Sequence, residues 1–212
     1  QKWPTRHMTD SPVAFEKNPN PQGKGMVPVL RDWATMQPAV AGPKAPAHFL
    51  RDYCLSSLVL SANFRFKPVV GKPYFLYAGE DGWSLSLIAP HEWGARKVGE
   101  FVASCWLRPD MTWELDATLE GNSPALARAQ QFILTFFDSF AKHQSISGHL
   151  PFYCAQFPYY QRLLATALAS SLQRSLPNTG DDVQALLGTL PRPTLLASPA
   201  GIPALLTAGR YQ

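Results

Sequence analysis

The sequence predicts an α+β fold: an antiparallel meander of four to five strands with helices packed on one face. Three observations predict it. Residues 74–88 hold two apolar runs joined by a turn with two glycines. Residues 101–115 repeat that pattern around Arg108-Pro109-Asp110. The segments on either side switch to helical spacing. Short strands joined by tight turns pair with their neighbours, and helical runs placed before and after such a group pack on it.

The elements follow in order. Residues 1–46 read as an irregular, Pro-rich N-terminal arm. Gln1 to His7 precede Met8 and are set aside as residues that need not be native. Asn18-Pro19-Asn20-Pro21 is extended and turn-rich, because each residue before a proline is pushed out of the helical region. Gln22-Gly23-Lys24-Gly25 follows, then a short apolar piece, Met26 to Leu30, and a brief helix from Arg31 to Met36. Residues 47–190 are expected to form one α+β domain, with the sheet at about 64–116 and helices at about 123–188. From Ala47 to Ser61 the positions Phe49, Leu50, Tyr53, Cys54 and Leu58 sit at helical spacing with no proline. Phe64, Phe66, Val69 and Val70 move the period towards two and suggest an additional strand.

Tyr74 to Tyr77 is the first clear strand. The Gly79 to Gly82 turn supplies the positive φ that a hairpin needs, and Trp83 to Ile88 alternates large with small or polar residues. Pro90 closes that strand, and His91-Glu92-Trp93-Gly94 makes a tight connection. Phe101 to Leu107 and Thr112 to Leu115 complete the meander. Ser123-Pro124 is a helix start, with an N-cap hydroxyl and a proline at the first helical position. An apolar stripe from Leu126 to Phe140 follows it. A second long helix begins after Phe157-Pro158 and ends before Pro177, and a short one covers Asp181 to Leu187. Residues 191–212 read as an irregular C-terminal tail.

Composition bounds the function. Apolar residues make up 46% and charged ones 16% of the 212 residues, a balance that builds a core and excludes a disordered chain. The formal net charge of +4 comes from scattered Lys and Arg without a run of five, which argues against nucleic acid as the partner. Cys54, Cys105 and Cys154 are odd in number and widely spaced, unlike a disulfide framework. Apolar stretches break well short of the roughly 20 residues that a membrane span needs. No signal-peptide pattern opens the chain. The expected setting is therefore cytoplasmic, with no membrane.

Lys72-Pro73-Tyr74-Phe75-Leu76-Tyr77, the glycine turn, Leu85 to Ile88 and Pro90-His91-Glu92-Trp93-Gly94 together resemble an uncharacterised family, the domain of unknown function numbered 2452, found in bacteria and animals. Phe101 to Leu107, Asp110, Thr112 and Trp113 continue the likeness. It covers about residues 64–116, with Asn20 to Gly25 as a second element. The resemblance implies a fold and carries no catalytic residues with it.

Candidate chemistry is sparse. Lys24 lies in a Gly-rich turn that could cradle an anion, but the GxxxxGK[ST] spacing is absent and a plain turn explains it as well. His91, Glu92 and Trp93 bring an imidazole, a carboxylate and an indole to one turn at a strand end, where loops on rigid sheets carry function. An indole plug over the sheet is the simpler account of Trp93. The cysteines read as small core residues. CxxC and HExxH are absent, and His143 and His149 stand six apart, so no metal and no cofactor are expected. Phe152, Tyr153, Phe157, Tyr159 and Tyr160 read as the joint between the helices and the sheet if buried, and as a patch for a partner protein or an apolar ligand if exposed. Burial is the reading favoured, because aromatics dominate cores. The expected function is a non-enzymatic binding or adaptor protein whose partner is another protein. The alternative is a small-molecule-binding protein or enzyme with a pocket between sheet and helices, where Lys24, His91, Glu92 and Arg108 would be the polar groups.

Overall fold

The computed structural model describes residues 26–39, 42–94, 99–117, 123–152 and 154–190. The chain divides into two compact units, Gln1–Thr35 and Met36–Gln212. In the first, α1 (Met26–Thr35) takes in the apolar piece as well as the expected helical stretch. Pro28 is tolerated there because the first turn of a helix leaves its N–H groups unpaired anyway.

The second unit holds a four-stranded antiparallel sheet of order β2-β1-β3-β4, built from β1 (Pro73–Gly79), β2 (Gly82–Ser86), β3 (Glu100–Leu107) and β4 (Trp113–Ala117). Around it stand α2 (Pro46–Ser61), α3 (Pro124–Ala141), α4 (Ile146–His149), α5 (Tyr159–Arg174) and α6 (Val183–Gly188). The expected α+β class and the antiparallel sheet are present, but the strands do not follow one another as a meander. β3 pairs with the free edge of β1, so β1 separates β2 from β3, which are consecutive in the chain. A fifth strand over 64–70 does not form. Its place is taken by a single bridge between Asn63 and Ser84, and Phe64 and Phe66 turn inward instead, with Phe66 stacked on Tyr74 at 5.4 Å.

Alternation assigns the two faces of the sheet. Tyr74, Leu76, Leu85, Ala103, Cys105, Leu107, Trp113 and Leu115 are buried on the inner face, against α2 and α3. Removing such side chains from water stabilises the fold by about 1.5–3 kcal/mol each. The register shifts at Leu76/Tyr77, so that Val102 is the extra residue of a β-bulge in β3. The bulge keeps both Val102 and Ala103 buried and returns Phe101 to the outer face.

The helices are joined to the sheet and to each other by specific bonds. Ser123 caps α3 by accepting from the Leu126 N–H, as its position before Pro124 predicts. Glu100 accepts from the Ala125 N–H at 3.2 Å and ties the start of α3 to β3. Ser56 of α2 accepts the outward N–H of Trp113 at 2.9 Å. Gln161 of α5 donates to the carbonyls of Leu60 and Ala62, which the end of α2 leaves open. Cys54 and Cys105 are buried, and burial pushes the Cys54 thiol up to about 12 and raises that of Cys105 as well. Cys154 is only half-buried, contrary to its expected core place.

Candidate functional site

Three clusters of chemistry-bearing residues stand out, and the first is the outer face of the sheet. Pairing of Phe75 with Ser104, Ser86 with Phe75 and Trp106 with Glu114 puts these side chains on the face opposite the helices. Phe75, Phe101 and Trp106 remain partly exposed there. Phe101 meets Phe75 at 6.4 Å and Tyr77 at 5.7 Å. One end of the face is roofed by the connection after β2. The Tyr77 hydroxyl donates to the Ile88 carbonyl at 2.9 Å, and Trp93 stands edge-on to Tyr77 at 6.0 Å. Burial, helped by the nearby Glu92 carboxylate and opposed by Trp93, raises the Tyr77 pKa. Leu87 and Ile88, which follow β2, are 60% and 40% exposed. The four strands contain Glu100, Glu114 and Asp116 and no Lys or Arg. Glu114 and Asp116 both lie on the outer face, beside Trp106 and Ser104.

The second cluster is ionic. Lys44 reaches Asp52 at 2.6 Å and Asp110 at 2.8 Å, while Arg108 meets Asp52 at 2.5 Å and donates through Nε to Thr112 at 2.9 Å. Asp52 is only 5% exposed. Burial alone would raise the Asp110 carboxyl. The hydrogen bonds and charge of Lys44 and the bonds from Thr112 outweigh it and hold that carboxyl below its usual range. The same Asp110 accepts from both the N–H and the hydroxyl of Thr112, which steadies Met111 at φ 62 with its side chain in the core. Every charge here is matched by a neighbour, so the cluster fastens α2 and the 42–45 segment to the β3–β4 turn.

The third cluster surrounds His149. Tyr53 has a single hydroxyl proton, and its oxygen lies 2.7 Å from both the His149 carbonyl and His149 Nδ1. The proton goes to the carbonyl, since a carbonyl cannot donate in return, and Nδ1–H then donates to the Tyr53 oxygen. Nε2 is left to accept from Ser139 at 3.3 Å. The ring is walled by Tyr53, Phe136 and Phe140, with His143 at 4.7 Å. Burial, and then the neighbouring His143, depress the His149 pKa to about 4. The order serine, imidazole, tyrosine has the outline of a nucleophile with its base. An imidazole this weakly basic draws little from a serine hydroxyl, however, because a general base works best near the ambient pH. The arrangement locks α4 onto α2 and α3.

The residues singled out from sequence are distributed among these clusters. Lys24 lies outside the described residues. His91 and Glu92 are exposed on a 3₁₀ turn, Pro90–Glu92, and the Glu92 carboxylate accepts from the Ala89 N–H at 2.7 Å. Trp93 borders the outer face through Tyr77. Arg108 follows the far end of β3, roughly 20 Å along the strand from Phe101, at about 3.3 Å per residue. These four therefore do not share one pocket. Phe152 is exposed and Tyr159 buried, while Phe157 and Tyr160 are partly buried against the core, so the aromatic run is only in part a joint; Tyr153 lies outside the described residues. Among the described residues no group of three or more His, Cys, Asp or Glu is placed to hold a metal ion. No helix there is long and apolar enough to cross a membrane.

Sequence reasoning missed Asp52, Lys44 and Tyr53, because their partners lie up to about a hundred residues away and no spacing reveals them. The outer face had a readable signal. Tyr74-Phe75-Leu76-Tyr77 is apolar at every position, which gives a strand two apolar faces. No curated protein and no solved structure matches the chain. Residues 49–135, which hold nearly all of α2, the whole sheet and most of α3, match the family model described as protein of unknown function (DUF2452).

Proposed function

We propose that this chain is a non-enzymatic binding protein that docks another protein on the outer face of its sheet. One observation carries the reading. Among the described residues the helices that touch the strands pack on one face, and the opposite face carries the partly exposed Phe75, Phe101 and Trp106, with the exposed Ile88 bordering it at Tyr77. Exposed apolar patches framed by polar residues mark contact sites, and aromatic residues dominate their energetics. The ionic and imidazole clusters are satisfied internally and add no competing chemistry. The experiment is native mass spectrometry of the tagged full chain purified gently from its own cells, beside a Phe75→Ser/Trp106→Ser variant. The expected result is a second protein chain in fixed stoichiometry with the wild type and a bare monomer with the variant. A partner retained equally by both would refute the docking face.

A second reading, a small-molecule site between sheet and helix, has one observation in its favour. An open groove of about 990 Å³ runs between the β1–β2 turn and the start of α3, lined by Gly79, Glu80, Asp81, Gly99, Glu100 and Arg128 among others. Arg128 already donates to the carbonyls of Gly79 and Glu80, so its cation is committed to the protein itself. This reading therefore ranks second. A discrete mass excess of a few hundred daltons in the same spectra would put it first.

A further inference from the structure

The charge pattern of the outer face specifies the partner's chemistry. The protein as a whole is basic, with nineteen Lys and Arg against fifteen Asp and Glu. Its sheet reverses that sign, since the strands hold three carboxylates and no cation. Two of the three, Glu114 and Asp116, stand on the outer face of β4, and neither forms an ion pair among the described residues. Glu114 lies directly across from Trp106, at the separation of a few ångströms that cross-strand neighbours share. A cation set over that indole gains the attraction of the ring face and of the carboxylate beside it. An arginine suits the position best, because its flat guanidinium stacks on the ring while its N–H groups reach the oxygens. The aromatic floor formed by Phe75 and Phe101 next to it takes an apolar side chain.

We propose that the occupant of this face is a segment of another protein that carries an arginine or lysine beside an aromatic or branched apolar residue. The proposal rests on the docking reading above and adds the sign and position of the partner's charge. The alternatives fare worse on the same observations: nucleic acid and anionic lipid would both meet carboxylates here, and like charges set opposite one another are repelled.

The test uses the full chain against a phage-displayed library of random twelve-residue peptides, selected in low salt. The expected result is enrichment of Arg or Lys within three positions of an aromatic or aliphatic residue. A synthetic consensus peptide, followed by calorimetry, is expected to lose about three- to tenfold in affinity with Glu114→Gln/Asp116→Asn, since each rim charge contributes under about 1 kcal/mol. Raising the salt to 0.5 M should weaken the wild type and leave that variant nearly unchanged. Phe75→Ser/Trp106→Ser should abolish binding. Peptides that need Phe75 and Trp106 but ignore Glu114, Asp116 and salt would overturn the basic partner and leave the docking face standing. Selected peptides that bind Phe75→Ser/Trp106→Ser as well as wild type would overturn the face itself. Circular dichroism of each variant guards against a loss of fold.

Discussion

Replacing Asp52 with asparagine tests whether the ionic cluster is a fastening or a site held ready for a ligand. The side chain keeps its size and loses its charge, leaving Lys44 and Arg108 beside a neutral amide in a place that is 5% exposed. Breaking a fully buried ion pair from one side costs about 3–5 kcal/mol. The Lys44 and Arg108 side chains are 17% and 22% exposed, so water recovers part of that loss. Asp110 also still holds Lys44. We therefore expect a destabilisation of about 2–3 kcal/mol, equivalent to a fall in Tm of roughly 4–12 °C for a chain of this length. Urea unfolding followed by circular dichroism measures it as a lower midpoint at constant slope. Asp110→Asn should cost less, about 1–2 kcal/mol, because it is the more exposed acid and accepts from Thr112 as well as Lys44. A loss below about 0.5 kcal/mol for Asp52→Asn, or a gain, would refute the fastening. A gain would point to a strained site, since sites kept for function are often stabilised by losing their charges.

Three further outcomes follow from the described contacts. His149 is less basic in the folded chain than in the unfolded one, so the unfolded chain binds the proton first. Its contribution is constant above about pH 6.5 and is lost as the pH falls from there to about 4, by about 1–2 kcal/mol once discounted for the wet half of the ring. Urea midpoints at pH 7, 5.5 and 4.5 should fall more steeply in the wild type than in His149→Gln, and parallel slopes would refute the assignment. Gly99 sits at φ 143, and a Cβ there would lie 2.5 Å from the Ala78 carbonyl oxygen, so Gly99→Ala should destabilise by about 2 kcal/mol or more. Thermal melts within 2 °C of wild type would sink that expectation. Ser123→Ala removes the cap of α3 and should cost about 1 kcal/mol in the same melts, and an unchanged midpoint would show that Glu100 alone secures the helix start.

The elements written in local chemistry were legible in the sequence. The glycine turn and alternation of 74–88 gave the first hairpin, and Ser123-Pro124 gave the start of α3, because each signal lies within a few residues of the element it controls. The stretch 64–70 misled for a physical reason: a period of two places side chains on alternate sides only when a ladder holds the backbone extended. Here Phe64 and Phe66 both found partners in the core, and the ladder stopped at Asn63. The four-residue α4 had no periodicity to announce it. It exists because Ser145 caps it and Tyr53 and Ser139 hold His149. The family likeness was legible over 64–116, and the matched segment extends further on both sides, through α2 and into α3.

Trp93 was legible as a residue at a strand end, whereas its role depends on the face it borders. A strand that is apolar on both sides belongs between two layers, and a one-sided sheet exposed to water normally alternates apolar with polar residues. β1 follows the first pattern, with Tyr74 and Leu76 inward and Phe75 and Tyr77 outward. Among the described residues the helices provide only one of the two layers. Among the described residues the connection after β2 meets the sheet at Tyr77, through Ile88 and Trp93, and Phe75 and Trp106 are partly exposed beside Glu114 and Asp116. Had solubility alone shaped this face, serines like those of β2 would serve at positions 75 and 106 as well as they do at 84 and 86. The aromatic side chains instead leave an apolar surface that is only partly covered among the described residues, and the carboxylates on one flank limit what could cover it. On the docking reading proposed above, that asymmetry, more than any titrating group, makes the sheet the working part of the molecule and the helices its support.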